Sequence, residues 1–368
     1  MTLTCENLLP RSCLQPQADP FFSRLQSVDF LSFQDALHYL VRAYDLAGRK
    51  ILLPAFYCDA TLHDMAKHGL TIVLCPVDQV LFDIDREAFE QLLKTETPDI
   101  ILIYNFFGKN SRLYIDTTWR QHISPEAIII SDFAHCLLPN HDINFLSEHH
   151  FYIDSTRKTT SCMMAHLVHP PGFVFRPELA VRLSAFRFAL RALFFLKTAC
   201  LRAATRTGWN VLAALGMHFF VLHDRFIGSP KAAHRGFRWD GLRFRHIDFA
   251  KVRQHRAALY GEYAENFSGL AAAGHIELFE LPAAERVNLC YFFLRIVEER
   301  RIAELISYLE TNGYWVDRLW DFDKVDGMEE RERQWAKSII VFPYTLQTRP
   351  AHIRAMAALT RTFFNHDR

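Results

Sequence analysis

Over the first 160 residues, segments with helical spacing of apolar side chains alternate with short runs that are apolar throughout. From Gln34 to Ala47 the apolar positions Ala36, Leu37, Leu40, Val41 and Tyr44 fall on one side of a helix, and Gly48 is placed to stop it. Ile51-Leu52-Leu53-Pro54 follows with the length and flanks of a buried strand. The pattern then recurs: a helix over Ala60 to His68 before Thr71-Ile72-Val73-Leu74-Cys75, and a helix over Arg86 to Leu93 before Asp99 to Tyr104. Ala127 to Ser131 and His150 to Ile153 read as two further strands. Helices alternating with wholly apolar strands predict a mostly parallel sheet covered on both faces, and in such sheets ligands gather at the carboxyl ends of the strands.

The rhythm breaks at Leu179. From there to Val221 the chain reads as long helices rich in Phe, Leu, Ala and Arg. After Asp240 it resumes with a helix over Phe249 to Phe267, a strand over Leu289 to Ile296, a helix over Arg301 to Asn312 stopped by Gly313, a strand over Ile339 to Phe342, and a last helix. The predicted organisation is an N-terminal extension over 1–29, a large α/β domain over 30–240 with a helical segment at 179–235, and a small α+β domain over 241–368.

Charge and composition sharpen the picture. Of 368 residues half are hydrophobic, and 32 are phenylalanine, so a packed core is expected and disorder is not. The formal net charge of +1 lacks the bias of a dedicated nucleic-acid binder. The charge is local instead: from Arg182 to Arg245 twelve Lys and Arg stand against Asp224 and Asp240 alone. Phe186, Leu190, Leu193, Phe194 and Leu201 give that segment an apolar face, with Arg187, Arg191, Lys197, Arg202 and Arg206 beside it. Peripheral contact with an anionic membrane through 179–221, a dimer interface, and a groove for a diphosphate all suit this composition. Eight scattered cysteines without a C-x-x-C pair, no signal-peptide pattern and no long uncharged apolar run predict a cytoplasmic protein, at most peripheral to the inner membrane surface. The histidines His63, His68, His149, His150, His166 and His169 lack metal-ligand spacing, so no metal is expected. Neither G-x-S-x-G, nor a Walker loop, nor G-x-G-x-x-G occurs.

Two segments carry ionisable groups just past predicted strands. In Ile128-Ile129-Ile130-Ser131-Asp132-Phe133-Ala134-His135 an aspartate follows the apolar run, and in Asp154-Ser155-Thr156-Arg157-Lys158-Thr159-Thr160 a lysine sits in a hydroxyl-rich loop. A lysine amine attacks carbonyls when burial or a neighbouring cation such as Arg157 depresses its pKa. A capping aspartate and a solvated loop would give the same residues, and spacing alone favours that plainer reading.

The order of several motifs points the other way. Ser32-Phe33-Gln34-Asp35-Ala36-Leu37, Leu53-Pro54-Ala55-Phe56-Tyr57-Cys58, Val77-Asp78 with Phe82-Asp83-Ile84-Asp85, Asn105-Phe106-Phe107-Gly108, Ser131-Asp132-Phe133-Ala134-His135, Ser155-Thr156-Arg157-Lys158, Asn312-Gly313-Tyr314 with Trp320, and Ile340 to Tyr344 follow one another as in a known pattern. From about Phe30 to Phe363 the chain resembles the DegT/DnrJ/StrS-type sugar aminotransferases, which are fold-type I pyridoxal-phosphate (PLP) enzymes. The resemblance implies an aspartate-aminotransferase-like three-layer α/β fold with a smaller C-terminal α+β domain. It implies pyridoxal 5'-phosphate as cofactor, with Lys158 as the Schiff-base lysine, Asp132 on the pyridine nitrogen, His135 nearby, Ser155 and Gln34 toward the phosphate, and Cys58 over the ring. Asn105 and Tyr57 fall on the substrate side. The implied reaction moves an amino group from a glutamate-like donor to a keto-sugar, with a nucleotide-linked one implied, in amino-sugar or surface-glycan synthesis, within a homodimer. Two departures stand out. Phe33-Gln34 replaces the family's Gly-Thr at the phosphate turn, and Cys162-Met163-Met164-Ala165 stands where relatives have Gly-Gly. These support an alternative: a non-catalytic relative serving as a binding or scaffold subunit at a membrane surface.

Overall fold

The computed structural model describes residues 3, 8–182, 184–227 and 232–365; parts of the N-terminal extension and Lys231 of the basic segment lie outside them. Seven strands form the main sheet: β1 (Ser27–Phe30), β2 (Lys50–Pro54), β3 (Thr71–Cys75), β4 (Ile100–Tyr104), β5 (Ile128–Phe133), β6 (His150–Asp154) and β7 (Ala165–Val168). Their spatial order is β1-β7-β6-β5-β4-β2-β3, and β7 alone runs against the rest. Strands β4, β5 and β6 are buried at every position, which accounts for their apolar runs; Ser131, Asp132, His150 and Asp154 are the buried polar exceptions in β5 and β6. The helices between them are α1 (Phe33–Ala43), α2 (Asp59–Lys67) and α3 (Arg86–Glu96). The Ser32 hydroxyl caps α1 by accepting the Asp35 N–H, and the Asp85 carboxylate caps α3 through Ala88 N–H. β1 and β7 are short and were not legible as strands; they pair with each other across the edge of the sheet.

A turn of helix, α4 (Thr156–Thr160), follows β6. The predicted helical segment is a hairpin of α5 (Ala185–Thr207) and α6 (Asn210–Ile227), turned at Gly208 with φ +75°. Of the apolar face read from sequence, Leu190, Phe194 and Leu201 are buried within the protein and Phe186 and Leu193 are half-buried, so most of that face is covered by the protein itself. Arg187 and Lys197, read as part of the basic surface, are also buried. The large apolar side chains of the hairpin left exposed are Phe188, Phe195, Leu196, Trp209, Val211, Leu215, Val221 and Phe226.

The C-terminal part places α7 (Phe249–Ala272), α8 (Ile302–Thr311) and α9 (Pro350–Asn365) around an antiparallel sheet of β8 (Ile276–Leu278), β9 (Phe292–Ile296) and β10 (Ile339–Phe342). The strand expected from Leu289 begins three residues later, at Phe292. One hydrophobic core spans both sheets. Much of the phenylalanine content lies at their junction: Phe82 stacks on Phe293 of β9 at 4.8 Å, Phe107 contacts the same ring at 4.9 Å, and Phe56 packs edge-on against Phe82 at 5.3 Å. Such rings bring large buried area with few rotatable bonds, which suits a rigid seam.

Candidate active site

The carboxyl ends of β4, β5 and β6, with the segment between β2 and α2, enclose a cavity of about 230 Å³. Asp132 is the fifth residue of β5, inside the strand rather than after it, in register with Tyr104 of β4 and Ile153 of β6. Its carboxylate is 3 % exposed; it accepts from Ala134 N–H at 2.7 Å and from the Tyr57 hydroxyl. Burial pushes its pKa up to about 6, against the pull of the two hydrogen bonds and the Lys158 charge.

Ser155 and Lys158 come from the loop and helical turn after β6. The turn is pinned from below: Thr156 N–H bonds to Met164 O at 2.9 Å and its hydroxyl lies 2.6 Å from Cys162 O. Ser161 closes it in the left-handed region at φ +58°. Cys162, Met163 and Met164 are buried in this floor. Lys158 Nζ stands 3.0 Å from His135 Nε2, and His135 Nδ1 meets the Tyr104 hydroxyl. Burial, then the Lys158 and Arg157 charges, hold the His135 pKa well below its ordinary value, so the ring is neutral at pH 7. With Lys158 as the ammonium donor, Nε2 accepts and the ring proton sits on Nδ1, toward Tyr104. Trp320 stacks on the other side of His135 at 5.9 Å and 27°. Its φ of +65° is rare for a bulky residue, so strain accompanies its position on the wall.

Lys158, Asp132, His135, Ser155, Gln34, Cys58 and Tyr57 all line this one cavity. Gln34 and Phe33 bring in the first turn of α1, and Cys58 stands at the start of α2. Ser155 precedes α4 without capping it through its side chain. Tyr57, read as a substrate contact, gives its hydroxyl to Asp132 instead. Asn105 is fully buried outside the cavity: its amide donates to Tyr114 Oη at 3.1 Å and accepts Ser111 N–H at 3.2 Å, so it shapes the turn after β4 rather than facing a ligand. That turn ends at Gly108, whose φ is +106° and whose missing Cβ would lie 2.3 Å from Asn288 O.

Sequence reasoning passed over Tyr104, Tyr291 and Asp317, and over Phe220, Asp224 and Ile227 from α6, all of which line the cavity. Asp224 pairs with Arg157 at 2.9 Å and so ties the hairpin to the lysine turn. Its signal was available: it is one of two acids among twelve basic residues. Among the described residues no three His, Cys, Asp or Glu side chains converge as metal ligands.

No protein-family profile matches the sequence, and no curated protein resembles it significantly. Solved structures do resemble it. The putative sugar aminotransferase Spr1654 from Streptococcus pneumoniae in its PMP form superimposes with a TM-score of 0.59 at 15% identity, over 94% of this chain and 89% of that one. The chain has the aminotransferase fold. NtdA from Bacillus subtilis, solved with bound cofactor PMP, shares that fold at TM-score 0.59 and 16% identity, over 94% of this chain and 75% of its own. DesI, solved with its TDP-sugar product, gives 0.64 at 14% identity over 98% and 92%. The likeness thus spans nearly the whole chain, not only the parallel sheet.

Proposed function

We propose that the protein is a PLP-dependent aminotransferase that moves an amino group from an amino acid to a keto-sugar. The observation that carries this reading is the meeting of Lys158, His135 and buried Asp132 on the wall of one cavity at the carboxyl ends of the strands. The donor set fits the cofactor. An amine reaches the cavity from one side, a carboxylate whose ionised form burial disfavours asks for a positive partner, and the Ser155 hydroxyl and the first turn of α1 supply polar groups for a phosphate. Solved relatives of the fold carry PMP or a TDP-sugar product, which supports the same cofactor and a nucleotide-linked substrate for this chain.

Bound there, the cofactor supplies an aldehyde that condenses with amines and a ring that withdraws electrons. Lys158 would hold the cofactor through its amine and would move the proton at the donor's Cα. Asp132, kept in register by β4 and β6 and steadied by Tyr57, would supply the negative charge that partners the ring nitrogen. Neutral His135 orients Lys158 without adding a second cation. The cavity of about 230 Å³ is smaller than the roughly 300–1,000 Å³ of drug-sized sites, so the nucleotide part of such a sugar lies outside it.

The test is an absorbance titration of the purified protein with PLP, followed by borohydride reduction and peptide mapping. The expected result is a yellow band fixed onto Lys158, and loss of transaminase activity in Lys158→Ala. Full activity in that variant would overturn the reading. A second reading, a scaffold that keeps the fold without catalysis, is favoured by one observation: the Phe33 ring occupies the first turn of α1 at the cavity wall. Absence of the band with Lys158 unmodified would put that reading first.

A further inference from the structure

The +10 charge of residues 182–245 is not spread over the surface. Arg182, Arg187, Arg235, Arg238 and Arg245 line a second cavity, of about 720 Å³, that shares no residue with the cavity of Lys158. Backbone geometry forces them together. Ala180–Val181 pairs in parallel with Ala233–His234, and Arg235 N–H continues the ladder to Val181 O at 2.9 Å, so Arg182 and Arg235 leave the strand ends side by side. Adjacent like charges on paired strands repel. The short helix Arg238–Arg245 then adds Arg238 and Arg245, seven residues apart and so on one face, with Gly241 and Leu242 between them on the cavity wall. Arg187 reaches in from α5 and bonds to Gly236 O at 2.7 Å. It is buried, stacks on Phe237 at 3.8 Å, and its Nε has no hydrogen-bond partner; Arg245 Nε is likewise buried without one.

The nearby acids do not balance this. Asp29 is the one carboxylate on the wall, at 3.9 Å from Arg245, and it also faces His166 at 3.9 Å. Asp35 is taken up by His234 at 2.9 Å and Asp240 by Arg191 at 2.8 Å. Arg187 also donates to Arg182 O, and Arg235 Nε–H donates to Asp29 O at 2.9 Å, yet five guanidinium groups around one shared carboxylate leave an open groove of net positive charge in which Arg187 Nε and Arg245 Nε still lack a partner. Guanidinium forks match phosphoryl oxygens in shape and charge, so the missing partner is an anion of that class. Trp239 and Leu242 stand exposed on the helix that carries Arg238 and Arg245.

We propose that this cavity binds a phosphoryl or pyrophosphoryl anion, at a site separate from the Lys158 cavity and independent of the aminotransferase reading. The anion is either the head group of an anionic lipid or part of a soluble phosphorylated molecule. The test uses the full-length protein at low ionic strength. Inorganic pyrophosphate is titrated calorimetrically into wild type, the double variant R182Q/R238Q, K158A, and the surface control R300Q; sedimentation follows with phosphatidylcholine vesicles, with and without phosphatidylglycerol. Arg182 and Arg238 are exposed, so the double variant is expected to fold, and its thermal melt verifies this. Saturable pyrophosphate binding is expected in wild type, K158A and R300Q, weakened about tenfold or more in R182Q/R238Q and by added salt. If wild type also sediments with phosphatidylglycerol vesicles and excess pyrophosphate releases it, a lipid head group is the source. Pyrophosphate binding without vesicle binding assigns a soluble ligand. Binding that survives in R182Q/R238Q but vanishes in K158A, or no binding of either probe, overturns the proposal.

Discussion

Asp132→Asn is expected to stabilise the cofactor-free protein, and to do so more at pH 7.5 than at pH 5. Burial raises the Asp132 carboxyl from 3.8 to about 6 in the folded state. Between those values the unfolded chain has released its proton while the folded chain keeps it, so stability falls as pH rises through the window. Full ionisation costs about 3 kcal/mol, and the part acquired between pH 5 and pH 7.5 is roughly 1.5 kcal/mol. Asn is never charged, and both local bonds survive it. Its oxygen accepts the Ala134 N–H, and its amide donates to Tyr57, whose hydroxyl switches from donor to acceptor. Urea unfolding of wild type and variant at the two pH values gives the answer as a double difference, in which every other titrating group cancels. The gap between the proteins is expected to widen by about 1.5 kcal/mol from pH 5 to pH 7.5. A gap that stays constant would mean that the carboxyl is not held protonated by burial, and the case for a site that asks for a cationic partner would go with it.

Two further outcomes follow from the same geometry. Gly108→Ala puts a Cβ 2.3 Å from Asn288 O at a φ of +106°, a clash with backbone at a forbidden angle, and is expected to cost about 3 kcal/mol or more in urea unfolding. Tyr57→Phe removes a hydrogen bond to Asp132 that favours the ionised carboxylate, so the carboxyl pKa rises further; PLP affinity, read from absorbance titration, is expected to fall by about tenfold at neutral pH, with the loss shrinking as pH rises.

The parallel core of the fold was legible because its central strands are buried on both faces and therefore carry apolar runs; β4, β5 and β6 were read to within two residues at their starts. Strands β1 and β7 escaped. Ser27-Val28-Asp29-Phe30 and Ala165-His166-Leu167-Val168 mix polar and apolar residues, and their identity rests on pairing across a long stretch of chain, which no local window registers. At the site, the order of motifs led to Lys158, Asp132, His135 and Ser155, and these share one cavity. Asn105 misled because a residue at a strand end that faces a ligand and one that braces the following turn look the same in sequence. The contribution of α6 was hidden for another reason. An amphipathic helix announces which face is apolar but not what covers it, so a hairpin that buries its own face was read as one seeking a partner.

The pairing of β1 with β7 also dictates an order of assembly. Ser27 aligns with Val168, so the first strand in sequence closes a loop of about 140 residues before it gains a partner. During synthesis β2 through β6 emerge and join neighbours made shortly before or after them. β1, already out, waits with its hydrogen-bonding edge open until β7 arrives. Strand β7, the one reversed strand, acts as the clasp of the sheet. The segment that leads to it is the turn bearing Lys158, so the nascent chain sets that lysine in place and fastens its earliest strand in the same short interval, while the cavity's remaining wall, from Phe220 to Trp320, is still to come.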